Sequence, residues 1–107
     1  MELKKQKLGL MVSTGPEHPN LHTALALSRA LLDRGGDVYL YLIDDGVAAA
    51  HRPEIRDLAR RGAKLFVCAY GCQKRGIPLS DPDALAYSGL VVLTDLINGC
   101  ERFIALN

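Results

Sequence analysis

Short, almost unbroken apolar runs recur along this chain, and segments of helical period separate them. Lys7 to Ser13 carries Leu8, Leu10, Met11 and Val12. Asp37 to Ile43 is rich in Val, Tyr, Leu and Ile, and Lys64 to Cys68 and Arg102 to Leu106 follow the same habit. Runs of this kind read as strands buried on both faces. Strands that alternate with helices through short loops lie parallel, because each crossover helix returns the chain to the same starting edge. The 107 residues are therefore expected to form one domain, residues 1–107. Its fold class is α/β: a small doubly wound parallel sheet of four to five strands with helices on both faces.

The helical segments have their own punctuation. Leu21, Ala24, Leu25, Ser28, Leu31 and Leu32 form one apolar face, with Asn20 as the expected N-cap and Gly35-Gly36 as the stop. Asp44-Asp45-Gly46 ends the second strand, and the alanine-rich stretch from Val47 to His51 reads as one helical turn. A helix from Pro53 to Arg61 has Pro in its first turn and Gly62 beyond its end. Ile77 to Asp83 is a loop, and Ala84 to Tyr87 a short edge strand. Ser88 then caps a helix carrying Leu90, Val91, Leu93, Leu96 and Ile97, which Gly99 stops.

Charge narrows the partners. The net charge is +1 and no dense Lys/Arg run occurs, so neither nucleic acid nor an anionic membrane is implied. The basic start, Met1 to Lys7, precedes an apolar run too short for a signal peptide, and no stretch is long enough to span a bilayer. The expected compartment is the cytoplasm. Thiols stay reduced there, so the three cysteines read as free, catalytic or ligating rather than bridged.

In open α/β sheets the ligand site lies beyond the carboxyl ends of the strands. That edge should gather the Thr14–Pro19 loop with His18, the Asp44-Asp45-Gly46 turn, and Cys68. Cys68 ends an apolar run, and a helix starting near Ala69 would place its sulfur at the helix start, where backbone N–H groups favour a thiolate. Lys74 and Arg75 add positive charge if their side chains fold back. A small buried core residue is the competing reading of Cys68.

Cys72, four residues on, shares a helical face with Cys68. It reads as a resolving thiol, half of a metal pair, or packing. The C-x-x-x-C spacing matches neither a thioredoxin-like motif nor a zinc knuckle, which favours packing or an accessory thiol over a metal site. Cys100 falls at the opposite edge and reads as core. His18 and His22 have H-x-x-x-H spacing, but Pro19 puts His18 in the loop. There it is either a solvated side chain or an acid–base or ligand-binding partner of Cys68. His51 is expected in an exposed turn. Asp44 and Asp45 have too few companion oxygens for a cation, and a strand-ending turn is favoured. No P-loop, dinucleotide fingerprint or nucleophile elbow is present, and no cofactor or resident metal is expected.

The segment Val67-Cys68, followed after five intervening residues by Lys74-Arg75-Gly76-Ile77, resembles the active-site pattern of the DsrE/DsrF-like family, which includes TusD-type sulfur-relay proteins. Leu8–Val12 with Gly15-Pro16, Ala26–Gly35 leading to Asp45-Gly46-Val47, Ser88-Gly89-Leu90 and Cys100–Ile104 extend the resemblance nearly end to end. Two places depart from the family's pattern. Cys72 stands where a small apolar residue is usual, and the Thr14–Pro19 loop has its own sequence.

The resemblance implies a trimer or hexamer of a small parallel α/β fold, with protein thiols as sulfur donor and acceptor. It also implies a sulfurtransferase-like carrier that holds sulfane sulfur as a persulfide on Cys68, in sulfur relay or sulfur oxidation. Two other readings stay open: a non-catalytic binding or scaffold subunit of such an oligomer, and a Cys68/Cys72 redox or metal sensor.

Overall fold

The computed structural model describes residues 6–107; the basic lead-in at residues 1–5 lies outside them. Five strands form one parallel sheet: β1 (Lys7–Val12), β2 (Asp37–Leu42), β3 (Lys64–Cys68), β4 (Leu85–Ser88) and β5 (Arg102–Leu106), in the order β4-β3-β2-β1-β5. The helices are α1 (Pro19–Asp33), α2 (Pro53–Arg60), α3 (Ala69–Arg75) and α4 (Leu90–Gly99), with a 3₁₀ turn at Asp44–Ala49. The parallel α/β sheet with helices on both faces is thus as the sequence implied.

Register and alternation sort the side chains. Leu10, Leu40 and Leu65 are aligned across β1, β2 and β3, as are Val12, Leu42 and Val67 one pleat further on. All six are buried and share a core with Leu21, Ala24 and Leu25 of α1 and Ile55 and Leu58 of α2. Each such Leu or Val withdrawn from water contributes about 1.5–3 kcal/mol. The opposite face carries Met11, Tyr41 and Phe66, again in register. Tyr41 and Phe66 stack there with ring centroids 6.5 Å apart. Among the described residues α4 alone covers this face, and Leu96 is its one buried residue.

The crossovers explain the crevice. Three connections step from β1 to β4 in one direction, and the last returns past all of them to β5. Right-handed crossovers then lie on one face for the first three and on the other for the last. Contacts agree: Arg56 of α2 pairs with Asp81 of the β3–β4 connection at 3.3 Å, whereas Val92 and Leu96 of α4 share a cavity with Tyr39 and Phe66 on the opposite face. The chain therefore leaves β3 and β4 on opposite faces, and a gap opens between their carboxyl ends.

Several local details differ from the sequence reading. His18, not Asn20, caps α1, because Pro19 takes the first helical position and its ring fixes φ there. The 3₁₀ turn begins at Asp44 rather than Val47, with Gly46 N–H donating to Ile43 O at 2.9 Å. Gly89, not Ser88, stands at the N-cap of α4 and offers no side chain; Ser88 extends β4 by one residue instead, opposite Cys68. His51 is half-buried, its Nε2 2.9 Å from Pro78 O. Among the described residues no helix is long and apolar enough to cross a membrane.

Gly46 shows how tightly the 3₁₀ turn crosses the end of β1: a Cβ there would overlap the carbonyl oxygen of Val12. Backbone cannot swing aside as a flexible side chain can. Gly46→Ala is expected to cost roughly 1–3 kcal/mol of stability, read as a lowered denaturant midpoint at unchanged slope. A midpoint equal to wild type would show that the turn has room to shift.

Candidate functional site

β3 ends at Cys68 because the chain must turn there into α3. Cys68 is at once the last paired residue of the strand and the N-cap of the helix, with extended backbone at φ −65° and ψ 113°. Its Sγ accepts from Gly71 N–H at 3.4 Å. Only 7% of the residue is exposed, and that part opens into a cavity of about 410 Å³ between the ends of β3 and β4. Ile43, Tyr70, Lys74, Arg75, Gly89 and Leu90 are among its walls. Gly76 stops α3 in the left-handed region, φ 68°, and Ile77 N–H then returns to Cys72 O at 2.9 Å.

The two cations behave differently. Arg75 is turned onto Asp45, donating from Nε and Nη2 to Oδ1 at 3.2 and 3.0 Å, and its Nη1 reaches Gly71 O at 3.3 Å. This ion pair is half open to water and is worth only about 0–1 kcal/mol. Its effect is to tie α3 to the 3₁₀ turn. Lys74 lines the cavity and has no acidic partner among the described residues. It is the cation left to meet an anionic group near Cys68.

Cys72 is fully buried beneath α3. Burial first, and the charge of Cys68 second, push its thiol above the ordinary value, while Arg75 pulls the other way. His18 reaches the same sheet edge, but its Nδ1 accepts from Asn20 N–H at 3.1 Å, and it is not among the cavity walls. His22 is exposed on α1. Cys100 lies at the amino edge, half-buried beside Glu101 and Lys7; burial and Glu101 raise its thiol. Among the described residues no group of three or more His, Cys, Asp and Glu gathers in a metal-binding cluster.

Sequence reasoning missed Tyr41, Tyr70, Gly89 and Leu90. Tyr41 is wholly buried in β2, and its hydroxyl donates to Gly89 O at 2.9 Å. Tyrosine within the apolar run of β2, DVYLYL, was the available signal, since a buried phenol needs a partner.

At neutral pH Cys72 stays protonated and enclosed. Native-state alkylation at neutral pH is expected to spare it, with labelling appearing only as the pH is raised or after denaturation. Its raised pKa comes partly from Cys68, so Cys68→Ser should move the Cys72 midpoint down. Peptide-resolved alkylation across a pH series checks both; an unmoved or higher midpoint would contradict the coupling.

Comparison with known proteins agrees with this fold. The crystal structure of the YchN protein from E. coli is similar in fold, with a TM-score of 0.79 at 18% identity, covering 95% of this chain and 99% of that one. Comparison with curated proteins gave no sequence match. The model of the DsrE/DsrF-like family matches residues 6–106, from the first strand through the last. This chain belongs to the DsrE/DsrF-like family.

Proposed function

We propose that this protein is a sulfur carrier of the sulfurtransferase kind, working in the cytoplasm and holding sulfane sulfur as a persulfide on Cys68. One observation carries the reading. The single thiol that opens into the cavity between β3 and β4 is the one that caps α3, with a backbone N–H on its sulfur and Lys74 in the same cavity wall. Family membership points to sulfur relay as the setting.

The reaction balances without a cofactor. Cys68 thiolate attacks the outer sulfur of a donor persulfide, R–S–SH. The Cys68–S bond forms, the donor S–S bond breaks, and the donor leaves as a thiolate. An acceptor thiolate then attacks the outer sulfur of Cys68–S–SH, becomes the new persulfide, and releases Cys68 thiolate. Both steps need a sulfur that is nucleophile and leaving group in turn. They also need room for a second thiol in line, which the cavity supplies.

Donor and acceptor are proposed to be protein thiols. A homo-oligomer, trimer or hexamer, is proposed for the assembly. Leu90, Val91 and Ile97 of α4 are 63%, 76% and 48% exposed, a surface that association would cover.

Intact mass spectrometry after incubation with a persulfide donor tests the carrier. Wild type should gain one sulfur atom that a reductant removes; Cys68→Ser should lose the gain and Cys72→Ser keep it. No gain in wild type would sink the carrier reading and leave a binding or scaffold subunit in its place.

A further inference from the structure

We infer that Tyr41 is the positioning residue of the Cys68 site: its hydroxyl fastens the turn between β4 and α4 and so fixes the cavity wall that faces Cys68. The inference rests on reading that cavity as the place where sulfur is exchanged.

Register places Tyr41 beside the nucleophile. It is paired with Phe66 on β3, and Cys68 lies two residues beyond Phe66 on the same face of the sheet. Cys68 in turn is paired with Ser88 at the end of β4. The Tyr41 hydroxyl donates to Gly89 O at 2.9 Å, with Ser88 O also near at 3.4 Å. The side chain therefore reaches from β2 across β3, at the level of Phe66 and Cys68, to the end of β4. Stacking on Phe66 sets the ring's direction. Burial, followed by the charge of Cys68, lifts the phenol to about 12, so it remains a donor at any physiological pH.

The turn it holds has little else to hold it. Gly89 is the N-cap of α4 and has no side chain to close the helix start. Leu90 and Val91, the first two helical residues, are largely exposed and anchor nothing by burial. Yet Gly89 and Leu90 form the wall opposite Tyr70, Gly71 and Lys74. A demand for packing alone would be met by phenylalanine stacked on Phe66. The hydroxyl is explained by the Gly89 carbonyl it holds, and Gly89 lines the cavity.

Tyr41→Phe tests this, because it keeps the ring and removes the strut. Cys68 labelling is followed by peptide mapping with N-ethylmaleimide and with the bulkier N-pyrenylmaleimide. The ratio of the two rates should change by about fivefold, the size of effect that one lost hydrogen bond carries. With glutathione persulfide as donor, KM should rise about fivefold while kcat stays within about twofold.

Leu90→Ala trims the wall directly, at an exposed position, and should change the labelling ratio by itself; on that background Tyr41→Phe should add nothing further. A wild-type ratio in Tyr41→Phe, an unaltered ratio in Leu90→Ala, or effects that simply add would overturn the inference. Equal slowing toward both reagents with a lowered Tm would do so too, since it would mark a folding role alone. The labelling ratio does not depend on sulfur transfer. If wild type takes up no sulfur, the carrier reading falls, while the ratio still decides the role of Tyr41.

Discussion

A parallel strand cannot turn straight back along its neighbour; it must leave the sheet at its carboxyl end and be carried round by a crossover. In this protein that obligation falls most heavily on β3. Its last paired residue is already the cap of the next helix, so no loop separates the sheet from α3. Cys68 is consequently held at both ends: its main chain by β4 through Ser88, and its sulfur by α3 through the Gly71 amide. A thiol on an independent loop would have to be ordered at an entropic cost. Here the fold's own connectivity supplies the order. The gap beside it follows from the next step, in which the chain leaves β4 on the opposite face.

Much of this was legible in the sequence because the relevant signals are local. Apolar runs of strand length mark β1, β2, β3 and β5, and the period of Leu21, Leu25 and Ser28 marks α1. The apolar run ending at Cys68, followed by Lys74-Arg75-Gly76, places the thiol at a strand–helix junction. What could not be read is what depends on distant parts meeting. Tyr41 and Gly89 are 48 residues apart, and their bond exists only because β2 and β4 flank the same strand. Likewise His51 looks like a loop residue until the β3–β4 connection is laid against it, with Pro78 O in reach of its ring. The expected Asn20 cap failed for a different reason. Asn is the better capping side chain, but the rigid φ of Pro19 favours the first helical position and leaves the cap to whatever precedes it.

Lys74 and Arg75 show why a basic pair is not two copies of one function. Neighbours on a helix point about 100° apart, whereas residues four apart lie on one face. Arg75 is four residues beyond Gly71 and so reaches its carbonyl, and its planar fork can hold Asp45 at the same time. Lys74, one position earlier, lines the cavity and has no acidic partner among the described residues. The arginine thus serves geometry and the lysine serves the cavity's field. Exchanging the two residue types would lose the first role without improving the second, because lysine cannot make the forked contact.

The same economy separates the three cysteines. Identical side chains sit at the carboxyl edge, beneath α3 and at the amino edge, and their surroundings make them different reagents. Cys72 is enclosed and its thiol is disfavoured from ionising; Cys100 is half-buried beside a carboxylate that has the same effect. Since the thiolate is the reacting form, both environments withdraw their sulfurs from exchange at neutral pH. Cys68 alone combines an opening with a donor on its sulfur and the Lys74 cation in the same cavity wall. Selectivity among the thiols is then achieved as much by suppressing two of them as by equipping the third. Under the proposed carrier function that suppression matters, because an acceptor thiol within the same chain would compete with a partner thiol.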